Sequence, residues 1–184
     1  MPIILLASRS PRRRELLKNI VGEFDVMAPE ADESEVRETP GETALAVAEA
    51  KLKAVPNPEG YDAVIVCDTL VYLDGVYYGK PKDEADAKRM LKELSGKTHT
   101  VVSGFIVWAK GKEVRQAVTS YVTFKKLSEP EIEDYVRTER PLDKAGSYGA
   151  QDGKLVEKIE GSYTNVVGLP VEALTDALAE LKII

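Results

Sequence analysis

A chain of 184 residues, 43% hydrophobic and 30% charged, has the make-up of one globular domain, 1–184, able to bury a substantial core. Its formal net charge of -6 argues against nonspecific binding to nucleic acid or to a membrane surface, so any basic cluster is a local feature. No apolar run approaches the roughly 20 residues that span a bilayer, no signal peptide is expected, and the lone Cys67 suits a reducing compartment, so a cytoplasmic location is expected.

Residues 3–7 form a short apolar run that reads as a strand, and Pro11 suits the first position of a helix over 11–20 whose stripe begins at Leu16 and Leu17. Arg12, Arg13 and Arg14 follow directly, where the helix dipole favours acids. Elsewhere the dipole rule is kept. Asp83, Glu84 and Asp86 open a helix over 83–95, and Ser128 with Glu131 has capping-box spacing at the head of a helix over 128–138. The three arginines are therefore either solvated or paired elsewhere, or they face an anion held by free N–H groups, serine hydroxyls and guanidinium forks.

A short strand near 24–28 leads into the acid-rich loop "PEADESEVRETPGE". Its Glu30, Asp32, Glu33 and Glu35 read as a solvated run, unless the loop closes over phosphates and helps to carry a divalent cation. In the helix expected over 42–55, Lys51 shares a face with Ala44, Val47, Ala48 and Val55, so it either snorkels at the stripe's edge or reaches a ligand. "PNPEG" is a turn. The strand 63–67 ends at Asp68, at the carboxyl end where α/β proteins place reactive groups; a plain cap, a metal ligand and a water-orienting base all remain open for it.

Asp74-Gly75 has hairpin chemistry, and Lys80 sits in a Gly-Lys-Pro turn that is unremarkable alone. Two long strands, "THTVVSGFIVWA" and "VRQAVTSYVTFKKL", turn at "KGK"; their alternation suggests antiparallel pairing with one wet face. "DKAGSYGAQDG" combines glycines with Gln151, whose amide can read a base edge or simply lie in an irregular connection. The strands "KLVEKIEG" and "YTNVVG" and a helix over 170–182 complete a mixed α/β chain. There is no Walker P-loop, G-x-G-x-x-G or Cys/His metal cluster, and His99, the only histidine, reads as structural.

In order, "LASRSPRR", "APEADES", "AEAKLKA", "VCDTLV", "GKP", "LSGKTHTV", "PLDKAGSYGAQ" and "GSYTNVVGLP" resemble the Maf family of nucleoside triphosphate pyrophosphatases, also called septum formation inhibitors, over essentially the whole chain. The resemblance implies a mixed α/β fold with an elongated central sheet, flanking helices and a deep cleft, similar to the inosine triphosphate pyrophosphatases. It implies metal-dependent cleavage of a nucleoside triphosphate between the α and β phosphates, with Mg2+ or Mn2+ as the divalent metal cation, in a house-cleaning role on normal or modified nucleotides. By the same resemblance, Ser8, Arg12, Arg13, Lys51 and Lys80 correspond to polyphosphate-binding residues, Glu33 to an essential acid that would share the metal with Asp68, and Asp68 to the proton acceptor. Arg12, Thr69 and Gln151 match the selectivity positions of the dTTP/UTP branch; the other branch prefers 7-methyl-GTP and carries "KSE" in place of "YGAQ". "QDG" departs from that branch beside Gln151. A nucleotide-binding regulator of cell division is the alternative from another class, and a homodimer is compatible with the long strands without a residue pattern that decides it.

Overall fold

The apolar runs of the sequence become the strands of one mixed sheet. In the computed structural model, which describes residues 1–184, β1 (Ile4–Ala7) is followed by α1 (Pro11–Val21), β2 (Asp25–Met27), α2 (Pro40–Lys53), β3 (Ala63–Leu73) and β4 (Val76–Tyr78). Then come α3 (Glu84–Leu94), β5 (Thr98–Ala109), β6 (Lys112–Phe124), α4 (Glu129–Glu139), β7 (Val156–Glu160), α5 (Tyr163–Val167) and α6 (Val171–Glu180). The 7-stranded sheet runs β2-β1-β3-β5-β6-β7, with β4 paired to β3. β1 is parallel to both β2 and β3, whereas β7 is antiparallel to β6. The mixed α/β sheet flanked by helices agrees with the expectation from sequence. No helix is long and apolar enough to cross a membrane.

The chain forms two compact units, one made of 1–69, 102–118 and 164–184, the other of 70–101 and 119–163. In the first, strand parity sorts the side chains. Ile4, Leu6, Ile65, Cys67 and Phe105 pack in one cluster with Leu17 of α1 and Leu174 and Leu178 of α6. Leu5, Ala7, Val64, Val66 and Ile106 pack in another with Ala48 of α2. Burial on both faces explains why β1 and the first half of β3 read as unbroken apolar runs. It also corrects the expected wet face on β5, whose residues 101–107 are all buried; β6, next to it, keeps a largely exposed outer half. At Gly104 the contact with α2 is closest, because a Cβ there would lie 2.7 Å from the Leu45 nitrogen.

In the second unit α3 packs on α4, and Tyr148 stacks edge-on with both His99 and Phe124, at centroid distances of 5.3 and 4.7 Å. The His99 Nε2 and the Tyr148 hydroxyl are 2.7 Å apart, and His99 Nδ1 is buried with no hydrogen-bond partner. Burial lowers the His99 pKa to about 4, so the ring is neutral at pH 7, in keeping with a structural histidine. Unfolded, the same ring takes up a proton near its ordinary value of about 6.5. Stability contributed by neutral His99 is thus complete above that value and lost as pH falls toward 4, by about 3 kcal/mol in all. Urea unfolding from pH 7 to pH 4 should show this slope in the wild type and a shallower one in His99→Phe; equal slopes in both would assign it to carboxylates instead.

Two sequence expectations change. The stretch "YTNVVG" forms α5 and not a strand. The buried Asn165 side chain donates to the Val118 carbonyl, and the N–H of Gly168, at φ 134°, returns to the Thr164 and Asn165 carbonyls to close the turn. Asp68 does not end its strand, since β3 continues to Leu73. Its parallel ladder with β1, however, stops at the Leu6–Ile65 pair, so Asp68 lies just past the carboxyl end of β1, where the backbone loses its neighbour on that side.

Candidate active site

Parity along β3 also places the chemistry. Val64 and Val66 belong to the cluster that packs on α2, and Asp68 is next in that register; Cys67 belongs to the α1/α6 cluster, and Thr69 follows it. Asp68 therefore meets Lys51 of α2, and Thr69 meets Arg13 of α1.

Lys51 does not snorkel. It is 8% exposed, and its Nζ donates to the Cys67 carbonyl at 2.9 Å and to Asp68 Oδ1 at 3.3 Å, with Glu33 Oε1 also at 3.3 Å. Glu33 itself stays exposed in the acidic loop, so only one residue of that run turns toward the buried ammonium ion. Desolvation raises the Asp68 carboxyl pKa above its ordinary range and outweighs the opposing pull of Lys51 and Arg13, while Glu33 adds to the upward shift. A proton acceptor needs such a raised affinity. The buried Cys67 thiol is likewise pushed up, chiefly by desolvation, which leaves it a packing residue.

The three arginines differ in their surroundings. Ser10 caps α1 by accepting from the Arg13 N–H, and its own N–H donates to Ser8 Oγ at 3.1 Å; Ser8 is buried. The Arg13 side chain donates from Nε to the Gly168 carbonyl (2.7 Å), from Nη2 to Thr69 Oγ1 (3.0 Å) and from Nη1 to Ser8 Oγ (3.4 Å). It is held in place by three partners and still keeps N–H groups for an anion, since a guanidinium has five. Arg12 is half-buried on the same turn and Arg14 faces solvent, as expected of the spare member.

Ser8, Arg12, Arg13, Glu33, Lys51, Asp68 and Thr69 all belong to the first unit. Lys80 and Gln151 belong to the second and are exposed there. The Gly146 N–H donates to the Gly79 carbonyl, which ties the loop of Lys80 to the loop of Gln151. Sequence reading missed Ser103, a fully buried hydroxyl 2.8 Å from Thr69 Oγ1, and the Cys67 and Gly168 carbonyls that receive Lys51 and Arg13. Backbone acceptors leave no sequence signal, and Ser103 is hidden in an apolar strand.

No group of three or more His, Cys, Asp or Glu side chains converges to hold a metal by itself. Glu33 and Asp68 do converge on the one point now taken by the Lys51 ammonium. Two carboxylates completed by substrate phosphate oxygens and water are a donor set that suits Mg2+ or Mn2+.

A family model described as Maf-like protein matches residues 3–181. The dTTP/UTP pyrophosphatase of Geotalea uraniireducens (strain Rf4) is 46% identical over 183 residues, covering 97% of this chain and 94% of that protein. The dTTP/UTP pyrophosphatase of Thermococcus gammatolerans is 44% identical over 174 residues, covering 94% of this chain and 93% of that one. Among solved structures, the Staphylococcus aureus Ham1 protein aligns with a TM-score of 0.44 and 19% identity, over 67% of this chain and 71% of that chain. Because the family model and relatives this similar each extend over nearly the entire length, the chain belongs to the Maf-like protein family.

Proposed function

We propose that this chain is a nucleoside triphosphate pyrophosphatase that hydrolyses dTTP and UTP to the monophosphate and pyrophosphate. One observation carries the chemistry: the buried carboxylate of Asp68, raised in proton affinity, is held by Lys51 in the unit whose α1 N-terminus carries the pinned Arg13. A binding module needs the cations but not the acid. The names of the relatives supply the pyrimidine preference, and Arg12, Thr69 and Gln151 are the residues we assign to it.

In this reading a water molecule attacks the α-phosphorus in line, and Asp68 orients it and accepts its proton. Ser8, the α1 N-terminus, Arg12 and Arg13 bind the polyphosphate, joined by Lys51 and Lys80, and stabilise the charge that develops as pyrophosphate leaves. Glu33 and Asp68 would hold a divalent cation, Mg2+ or Mn2+, which when bound supplies charge neutralisation at the phosphates. Arg13 begins the reaction already oriented by its three partners, so little reorganisation is needed at the transition state.

Pyrophosphate release from dTTP, UTP, CTP, GTP and 7-methyl-GTP, each with Mg2+ or Mn2+, tests the proposal. Fast release from dTTP and UTP is the expected result. Preference for 7-methyl-GTP would keep the chemistry and overturn the assignment of the base-reading residues. Binding without release from any nucleotide would leave a regulatory nucleotide-binding protein in place of an enzyme.

A further inference from the structure

Tyr135 of α4 is 4% exposed and is one of the buried residues of that helix, with Ile132 and Val136. For burial alone a phenylalanine would serve equally well. The hydroxyl has a different task. It accepts from the Gly149 N–H at 3.0 Å and donates to Asp152 Oδ2 at 2.5 Å, which uses its one donor and an acceptor site on the two ends of a single short turn. The turn is Ala150–Asp152, and Gln151 is its middle residue.

The rest of the turn holds itself only loosely. The Asp152 N–H reaches the Gly149 carbonyl at 3.4 Å, and the Gly153 N–H reaches the Ala150 carbonyl at 3.2 Å. Gly153 has φ 67°, and Asp152 Oδ1 accepts from the Lys154 N–H at 3.0 Å, so the carboxylate joins the turn to its exit. The sequence departure at "QDG" thus acquires a use: Asp152 is the acceptor through which a helix-borne hydroxyl holds the turn while Gln151 stays exposed.

We propose that Tyr135 is a positioning residue for nucleobase selection, its hydroxyl fixing the Gly149–Asp152 turn so that the Gln151 amide is held in one orientation for the base edge. The inference rests on Gln151 being the base-reading residue. A side chain that reads a base must have its donor and acceptor preorganised, or the ordering is charged against binding of every correct substrate. Release of the clamp therefore weakens discrimination and raises KM, while Asp68, Lys51 and Arg13, which lie in the other compact unit, keep their contacts.

The experiment is a mutant cycle: kcat and KM for UTP and GTP in the wild type, Tyr135→Phe, Gln151→Ala and the double variant. Tyr135→Phe is expected to raise KM for UTP roughly three- to tenfold, the scale of the one hydrogen-bonded contact between Gln151 and the base that it loosens, with kcat within about twofold and a narrowed UTP-to-GTP ratio of kcat/KM. The double variant should be no worse than Gln151→Ala, since a residue that acts only through Gln151 has nothing left to position. Additive losses, or a fall in kcat at constant KM, would overturn the proposal. Altered selectivity in Gln151→Ala with none in Tyr135→Phe would overturn it while leaving Gln151 its role. Unchanged selectivity in Gln151→Ala would remove that role and the proposal with it. Should Tyr135→Phe fold poorly, Asp152→Ala takes its place in the same cycle, because it deletes the acceptor from a loop without touching the α4 core; its expected and overturning results are the same.

Discussion

Asp68→Asn should reduce pyrophosphate release by roughly 10²–10⁴-fold, the usual contribution of a general base, with nucleotide binding retained. The substitution keeps the shape of the side chain and an oxygen for Lys51, but removes the proton acceptor. It also removes a carboxylate that burial destabilises, so the thermal midpoint should not fall. Equilibrium nucleotide binding, single-turnover kinetics and a thermal melt on one preparation separate these effects. Loss of binding with turnover per bound complex preserved would make Asp68 a binding residue, not the base.

The pH profile supplies a linked check. Burial raises the Asp68 pKa, and Lys51 is the larger of the two cations opposing the rise. Activity that needs ionised Asp68 should therefore fall on the acid side at a pH above the ordinary carboxylate range, near 4. In Lys51→Met the acid limb should move further up, in addition to any loss of rate. A limb that stays put would show that the titrating group is elsewhere.

Gly104→Ala should destabilise the protein by about 3 kcal/mol, at the upper end of ordinary overpacking. That corresponds to a thermal midpoint lowered by about 6–12 °C in a chain of this size. The added Cβ would sit 2.7 Å from the Leu45 nitrogen, 2.8 Å from the Ala44 carbonyl carbon and 3.0 Å from the Ala44 Cβ. Two of those atoms are helix backbone, which cannot turn aside as a flexible side chain would, so α2 must move as a body. Lys51 lies two turns further along α2, and its contacts with Asp68 and the Cys67 carbonyl depend on where that helix rests. Activity should fall along with stability. A melt within about 1 °C of wild type would show that the strand and helix relax without cost.

What was legible beforehand follows from how local each signal is. The Pro11 helix start, the Ser128–Glu131 capping box, the Asp74-Gly75 turn and the apolar runs of β1 and β3 depend on neighbours within a few residues. The "YTNVVG" segment failed for the opposite reason. Its two valines suit a strand, and the helix is set by Asn165 bonding to Val118 and by Gly168 at a backbone angle that other residues rarely adopt. The anomaly of cations at a helix N-terminus was visible as soon as the arginines were read against the dipole rule. Which arginine is anchored, which half-buried and which spare depended on the Gly168 carbonyl, 155 residues away in the chain.

By itself, then, the sequence marked a cation-rich helix start, a strand-end aspartate and a stripe lysine as candidates, because these are defined by residue type and local spacing, and the family followed from the resemblance of eight ordered motifs spread over the chain. Only the tertiary structure decided that Lys51 joins Asp68 to Glu33, that Thr69 and Ser103 support Arg13, and that Tyr135 clamps the turn of Gln151. Each of these contacts joins residues brought together by helix packing, sheet order or loop closure, and parity along β3 turns Asp68 to one face and Thr69 to the other. Neighbours of that kind are set by burial of distant apolar faces against one another, which no short stretch of the chain encodes.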